Sequence, residues 1–135
     1  MAANDFNSRV MAEFRENDGK VGGGFEGSPL LILTTKGARS GQTRENPLMY
    51  LPDGDRMFVF ASKAGGPTSP DWYHNLVANP DASVEVGAET VQVKATVLTA
   101  DERDSVYAKQ AALYPQFAEY QAKTTRTIPV VALDR

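Results

Sequence analysis

The chain contains no cysteine and only one histidine, His74. The missing cysteine excludes disulfide bonds, thiol nucleophiles and thiolate-bound metals, and a single histidine excludes a multi-histidine metal centre. No apolar run approaches the length of a membrane span, and the first residues lack the apolar segment of a signal peptide. The net charge of -3 provides no general basic field for nucleic acid. We therefore expect a cytoplasmic protein that binds neither a metal nor nucleic acid.

Length and composition favour one folded domain. The chain has 135 residues, of which 41% are hydrophobic, enough for one core of ordinary size. Residues 4–17 place apolar side chains on one helical face, and several glycines follow. We therefore divide the chain into an N-terminal helix with a glycine-rich linker, residues 1–26, and a main domain, residues 27–135. The helix is expected either to pack on one edge of the core or to form a flap over a pocket.

Apolar runs and turn signals predict a mainly β protein of the α+β class. The predicted strands cover residues 30–35, 45–51, 56–62, 84–86, 90–98 and 128–133. The predicted helices start at a Ser69 cap, at a capping box formed by Thr99 and Glu102, and near residue 117. No βαβ alternation is sustained, which favours an antiparallel β-barrel with flanking helices over a doubly wound sheet. Pro47 predicts an edge position or a bulge, because proline cannot donate to a strand ladder.

Two loops of unusual composition follow the first and third predicted strands. The first loop, residues 36–44, reads KGARSGQTR, and the second loop, residues 62–70, reads SKAGGPTSP. Both combine glycine, hydroxyl groups and positive charge, which suit a phosphate or carboxylate, although neither is a P-loop. We interpret them as two sides of one site for an anionic ligand. The strongest expected contacts are Arg39, Ser40, Gly41 and Arg44; the alternative for the first loop alone is a hairpin turn whose charges face water.

Polar and aromatic residues near the second loop and in the C-terminal third admit two interpretations each. Trp72 and Tyr73 either stack on a planar ring or belong to the core, and Asn75 either bonds a ligand or ties down a loop. Tyr114 and Tyr120 either line an apolar mouth and offer a phenol, or pack on the barrel. His74 has no triad-like partner and is given no role.

Both loops resemble the signature motifs of one known family. Residues 34–48, TTKGARSGQTRENPL, are similar to the phosphate loop of the actinobacterial deazaflavin-dependent nitroreductases. Residues 61–66, ASKAGG, and 70–80, PDWYHNLVANP, are similar to the second signature of that family. The resemblance extends from about residue 27 to the C-terminus.

The resemblance implies a split β-barrel related to the FMN-binding oxidoreductases and the cofactor coenzyme F420, an 8-hydroxy-5-deazaflavin with an anionic tail. It implies hydride transfer from C5 of the reduced deazaflavin to an electron-poor acceptor, a quinone such as menaquinone or a nitroaromatic. With both loops taken together, the expected cofactor contacts are Gly37, Arg39, Ser40, Gly41, Arg44, Pro47, Ser62, Lys63, Ala64, Trp72, Tyr73 and Asn75. Ser62 or Tyr120 would polarise or protonate the acceptor, with Tyr114 at the mouth of the pocket.

Other functions stay open at this level. The chain could be a binding protein that holds the deazaflavin or FMN without reducing an acceptor, or a conventional FMN enzyme on the same barrel, because the chemistry needs no dedicated nucleophile or metal. Split barrels are commonly dimers, so a homodimer is one alternative by analogy, and the oligomeric state stays open. Some family members contact membranes through the N-terminal helix, so any membrane contact is expected to be peripheral, at the inner face.

Overall fold

The computed structural model describes residues 2–20 and 29–135, with side chains from residue 8 onward except that of Ala64. The predicted boundary at residue 26 lies outside the described residues. Within them the chain forms four α-helices and seven strands. In chain order these are α1 (Ala2–Glu16), β1 (Leu30–Lys36), β2 (Thr43–Met49), β3 (Leu51–Asp53), β4 (Arg56–Phe60), α2 (Asp71–Ala78), β5 (Asp81–Val86), β6 (Glu89–Val97), α3 (Ala100–Leu113), α4 (Gln116–Ala122) and β7 (Val130–Asp134).

The strands form one antiparallel sheet in the order β2-β1-β5-β6-β7-β4-β3. Its two end strands are consecutive in the chain and are separated only by Tyr50. One bent segment, residues 43–53, therefore pairs with β1 at one end of the sheet and with β4 at the other. The sheet curls on itself into an antiparallel split barrel, which confirms the predicted fold class. The single strand predicted over 45–51 is wrong in extent, because residues up to Met49 pair with β1 whereas the residues from Leu51 onward pair with β4; the Tyr50 N–H between them still donates to Pro29 O at 3.2 Å.

The continuous apolar run of β1 serves two separate cores. Leu31 and Leu33 belong to the core inside the barrel, whereas Leu30 and Ile32 pack with Phe14 of α1. All five side chains are buried, as expected for a strand that is covered on both faces. The helix α1 therefore packs on the sheet, in agreement with the first of its two interpretations.

Arg15, at the end of α1, forms ion pairs with residues of two strands. Its Nη2 atom lies 2.8 Å from Glu45 Oε2 on β2 and 2.7 Å from Glu85 Oε2 on β5, and its Nε donates to Glu85 Oε1 at 3.0 Å. The hydrogen bonds from Arg15 hold the pKa of Glu85 below its ordinary value. The helix is thus held by charge as well as by apolar packing.

The helices α3 and α4 pack on β4 and β7 through a second core cluster. Phe60 of β4 meets Tyr107 and Phe117 edge-on, with ring centroids 5.9 and 5.5 Å away. The Tyr107 hydroxyl donates to Phe117 O at 2.6 Å, and burial raises the pKa of that phenol. This packing fixes α4 and places Tyr120, whose ring lies 5.3 Å from that of Phe117, at the edge of the cluster.

Most other predicted elements are confirmed, with ends that differ by a few residues. Pro47 lies on β2, a strand at the end of the sheet, as its missing N–H requires. Two-residue turns at 54–55 and 87–88 join the hairpins, and α2 ends before Pro80. The last strand begins at Val130 rather than at residue 128.

One predicted helix cap is wrong, and the other has its predicted N-cap residue, Thr99, but no side-chain hydrogen bond to the helix. Pro70, not Ser69, is the N-cap residue of α2, and the Ser69 hydroxyl instead accepts a hydrogen bond from Arg126 Nη1 at 3.0 Å. The helix α3 begins where predicted, but no side chain caps it, and Glu102 pairs with Arg56 at 3.0 Å. In both cases a guanidinium from a distant part of the chain binds one side chain of the predicted cap, the Ser69 hydroxyl or the Glu102 carboxylate.

Candidate functional site

The first loop is a compact turn between β1 and β2. The Gly37 N–H donates to Gln42 O at 2.7 Å, and the Gly41 N–H donates to Gly37 O at 3.0 Å. Gly41 has a φ of 72°, which side-chain-bearing residues rarely adopt. The Ser40 hydroxyl accepts from the Gln42 N–H at 3.1 Å. These bonds shape the loop without the help of a ligand.

Several hydrogen-bond donors of the first loop have no partner in the described part of the chain. The exposed side chains of Arg39 and Arg44 form no hydrogen bond or ion pair with any described residue. The backbone N–H groups of Arg39 and Ser40 likewise donate to none of the described residues. Guanidinium groups beside free N–H groups in a tight turn are typical of phosphate and carboxylate sites. The loop can therefore bind an anion at its outer face.

Asn75 holds this loop against α2. Its Oδ1 accepts from the Ala38 N–H at 2.9 Å, and its Nδ2 donates to Thr35 Oγ1 at 3.1 Å. The side chain is buried, with 7% of its surface exposed. Of the two interpretations of Asn75, the structure bears out the one in which it ties down a loop; a contact with the cofactor stays a prediction.

A groove of about 1290 Å³ opens beside the first loop. It is bordered by α1, the first loop, β2 and α2, through Ser8, Met11, Gly37, Ala38, Arg39, Ser40, Thr43, Arg44, Glu45, Asn46, Asp71, His74 and Asn75. Five predicted cofactor contacts are therefore brought together here: Gly37, Arg39, Ser40, Arg44 and Asn75. Gly41 supports the turn but is not part of this lining. His74, to which no role was assigned, is exposed at the groove with its ring 5.4 Å from that of Tyr73.

A second, smaller pocket of about 160 Å³ lies further along β2. Its lining is mainly apolar and comprises Pro47, Leu48, Met49, Phe60, Ser62, Phe117 and Tyr120. Three predicted site residues, Pro47, Ser62 and Tyr120, meet in this small pocket. Because residues 43–46 line the groove and residues 47–49 line the small pocket, the two spaces follow each other along one strand.

The second loop is held by a residue that sequence reasoning did not single out. Arg126 donates from Nε to Gly66 O at 3.0 Å, from Nη1 to Ser69 Oγ at 3.0 Å, and from Nη2 to Ala61 O and Ser62 O, both at 3.1 Å. Sixty residues separate Arg126 from Gly66, and no local pattern links the two. The only signal in the sequence was that Arg126 falls in the C-terminal stretch that resembles the family.

The remaining predicted site residues lie around these two spaces. Trp72 is buried in the core inside the barrel, with 5% of its surface exposed, which is the core placement foreseen as its alternative. Tyr73 is half-buried against the same core. Lys63 is exposed, has a φ of 47°, and donates to Thr68 Oγ1 at 3.4 Å. Tyr114 is half-buried against the second cluster and belongs to the lining of neither space. The side chain of Ala64 lies outside the described residues.

The described residues contain neither a membrane-spanning helix nor a cluster of metal ligands. No helix in that part of the chain is both long enough and apolar enough to cross a membrane. No group of three or more acidic, histidine or cysteine side chains among the same residues is arranged to hold a metal ion.

Comparison with known proteins assigns the family. A model of the F420H(2)-dependent quinone reductases matches residues 7–135. An F420H(2)-dependent quinone reductase of Mycobacterium tuberculosis is 39% identical over 130 residues, 92% of this chain and 86% of that protein. A solved F420-H2 dependent reductase, FDR-A, is 39% identical, with a TM-score of 0.72 over 78% of this chain and 94% of its own. Another solved structure, a domain-swapped dimer, is 34% identical, with a TM-score of 0.74 over 98% of this chain and 96% of its own. The family resemblance of the two loops is thereby confirmed, and the chain belongs to the F420H(2)-dependent quinone reductase family.

Proposed function

We propose that coenzyme F420 binds along β2, with its anionic tail on the first loop and its ring beside the small pocket. The protein is an oxidoreductase of a family that transfers a hydride from reduced F420 to a quinone. The observation that carries the proposed placement is that residues 43–46 of β2 line the groove and the next residues, 47–49, line the small pocket. An elongated ligand with one charged end and one flat end can contact both spaces at once.

The chemistry of the two spaces suits the two ends of such a ligand. At the groove, Arg39 and Arg44 offer fixed positive charge and forked donors that match phosphate or carboxylate oxygens. At the small pocket, Pro47 and Phe60 give apolar walls, whereas Ser62 brings a hydroxyl group. Apolar walls with a few polar groups are the usual environment of a planar organic ligand.

The bound reduced deazaflavin supplies the hydride, from its C5 atom. The residues of this chain bind and orient the two reactants and keep water away from them. The hydroxyl groups of Ser62 and Tyr120 both border the small pocket and can donate a hydrogen bond to a quinone oxygen that gains negative charge. We therefore assign these two hydroxyls to the acceptor, and Arg39, Ser40 and Arg44 to the coenzyme tail.

Anaerobic mixing of the purified protein with F420H2 and menadione, a soluble menaquinone analogue, tests this function. We expect the deazaflavin to be oxidised only when protein and menadione are both present. The amount of F420H2 oxidised should equal the amount of menadione reduced. Binding of F420H2 without oxidation in the presence of menadione would instead indicate a deazaflavin-binding protein. A yellow protein with a bound flavin as purified would favour an FMN enzyme, and a nitroaromatic in place of menadione tests the second acceptor class.

We also propose that two chains associate and that the protein acts at the inner face of the membrane. The first point is supported by the similar structure that is a domain-swapped dimer, and the second by the lipid solubility of long-chain menaquinones. Light scattering of the purified protein and flotation with anionic vesicles test the two points separately.

A further inference from the structure

The side chain of Arg126 forms four hydrogen bonds with the second loop and the residue before it. All three guanidinium nitrogens donate hydrogen bonds, and the four acceptors are three backbone carbonyls and the Ser69 hydroxyl. The acceptors span both ends of the loop, from Ala61 to Ser69. Within the described residues no carboxylate pairs with Arg126. Arg126 therefore uses its forked guanidinium to hold the backbone of the loop by hydrogen bonds, and not to form an ion pair.

The backbone around Arg126 is fixed in turn by α4. Gln121 Nε2 donates to Arg126 O at 2.7 Å, and Gln121 Oε1 accepts from the Ile128 N–H at 3.0 Å. Arg103 also donates to Gln121 Oε1. The backbone of Arg126, which follows α4 in the chain, is consequently held by that helix, and its guanidinium reaches from there to the second loop.

The loop also touches α4 directly at Gly65. A Cβ atom at this position would lie 2.9 Å from Tyr120 O and 3.1 Å from Tyr120 Cα, so only glycine allows the contact. Ser62, at the start of the loop, borders the small pocket together with Tyr120. The position of the Ser62 hydroxyl relative to the Tyr120 phenol thus depends on how the loop is held against α4.

We propose that Arg126 is a positioning residue for quinone reduction: by clamping residues 61–69 against α4 it sets the Ser62 and Tyr120 hydroxyls at the small pocket. The proposal rests on the function proposed above. The first loop is held separately, through Asn75, and does not contact Arg126. The loss of Arg126 should therefore disturb the reacting end of the site while leaving the binding of the coenzyme tail largely intact.

Arg126→Lys is the most informative variant, because lysine keeps the positive charge but cannot span four acceptors from one nitrogen. Ser69→Ala is the milder companion variant, since it removes only the acceptor of Nη1. Arg56→Lys is the matched control: Arg56 is also half-buried and donates to Asp134 and Glu102 on the side of the barrel formed by β4, β7 and α3, where it touches neither loop.

Two readouts are needed, hydrogen exchange of the ligand-free protein and steady-state kinetics with F420H2 and menadione. For Arg126→Lys we expect faster exchange confined to residues 61–69, kcat lower by about 10–100-fold, and a Kd for F420 within about threefold of the native value. Ser69→Ala should also speed up exchange of residues 61–69 and lower kcat, but by smaller factors. Arg56→Lys should leave both quantities unchanged.

The proposal is overturned if the Arg126→Lys protein has the hydrogen exchange rates and the kcat of the native protein. It is also overturned if hydrogen exchange becomes faster throughout the chain while kcat and the Kd for F420 change together, as expected for a purely structural residue. Should the native protein reduce no quinone at all, the proposed function fails. The exchange of residues 61–69 then still decides whether Arg126 clamps the loop.

Discussion

The side-chain amide of Asn75 on α2 forms hydrogen bonds with two groups more than thirty residues earlier in the chain: it accepts from the Ala38 N–H of the first loop and donates to the Thr35 hydroxyl of β1. Both atoms of its amide that can form hydrogen bonds are used, and the side chain is buried. The two donors next along the loop, the N–H groups of Arg39 and Ser40, have no partner among the described residues. Asn75 thus orients the backbone from which these free donors project.

Asn75→Ala should weaken coenzyme binding and destabilise the fold. It leaves the Thr35 hydroxyl without its partner in the interior, which costs about 1–3 kcal/mol of the free energy of unfolding. Chemical denaturation and F420 titration measure the two effects. Asn79→Ala is the control, since Asn79 ends the same helix and forms no side-chain hydrogen bond with a described residue. An Asn75→Ala protein that binds F420 with native affinity would show that the tether is irrelevant to the site.

Gly41 and Gly54 form a matched pair for testing the shape of the first loop. Both have positive φ, 72° and 59°, and in neither case would an added Cβ clash with a neighbour. Replacement of either glycine by alanine should therefore cost a similar amount, about 1 kcal/mol, from backbone strain alone. Only Gly41→Ala should also raise the Kd for F420, because Gly54 lies in the β3–β4 turn, away from the groove. Equal effects of both variants on binding would contradict the assignment.

Tyr120→Phe should change turnover of the quinone without changing affinity for the coenzyme. It removes a hydroxyl at the small pocket but leaves the ring that packs on Phe117. We expect kcat with menadione to fall by about tenfold, less than the roughly 100-fold loss typical of a sole oxyanion donor, because Ser62 keeps a second hydroxyl at the pocket. Tyr114→Phe, in a residue that borders neither space, should leave kcat unchanged. If Tyr114→Phe were the more damaging change, the acceptor would bind elsewhere.

The ion pairs of Arg15 predict a pH-dependent contribution to stability. The pKa of Glu85 is lowered in the folded protein by its hydrogen bonds to Arg15, relative to an ordinary value of 4.5. The stabilisation is therefore present above pH 4.5 and is lost as the pH falls through the lower folded value. Glu85→Gln should lower the free energy of unfolding at pH 7 by at most about 1 kcal/mol, because the pair is partly exposed. Urea denaturation at pH 7 and at pH 3 should show a smaller difference from the native protein at the lower pH; a constant difference would contradict this account.

The sequence predicted the parts of the fold that depend on local patterns. The run of β1 indicated a strand buried on both faces, Pro47 indicated an edge, and the glycines of the first loop indicated a tight turn, because each follows from the conformational limits of a few neighbouring residues. The Ser69 and Glu102 caps failed for the opposite reason. Each group is bound by an arginine from far along the chain, and local spacing carries no information on such a competitor.

The same distinction applies to the site. Arg39 and Arg44 could be singled out because free positive charge in a glycine-rich turn is itself the signal. Arg126 could not, since its role depends on four bonds to residues 57 to 65 positions earlier. The division of the site into a polar groove and an apolar pocket was also hidden, because it results from the course of β2 through the folded barrel.

The most direct test of the account is a fluorescence titration of the native protein and of the Arg39→Ala, Arg44→Ala double variant with oxidised F420, and in parallel with FMN. Lys94→Ala, in an exposed cation of β6 that is not part of the groove, serves as the control. We expect the native protein and the control to prefer F420 over FMN, and the double variant to bind F420 at least about tenfold more weakly, with less dependence on salt. Native affinity in the double variant, or a preference of the native protein for FMN, would contradict the placement of the coenzyme on the first loop.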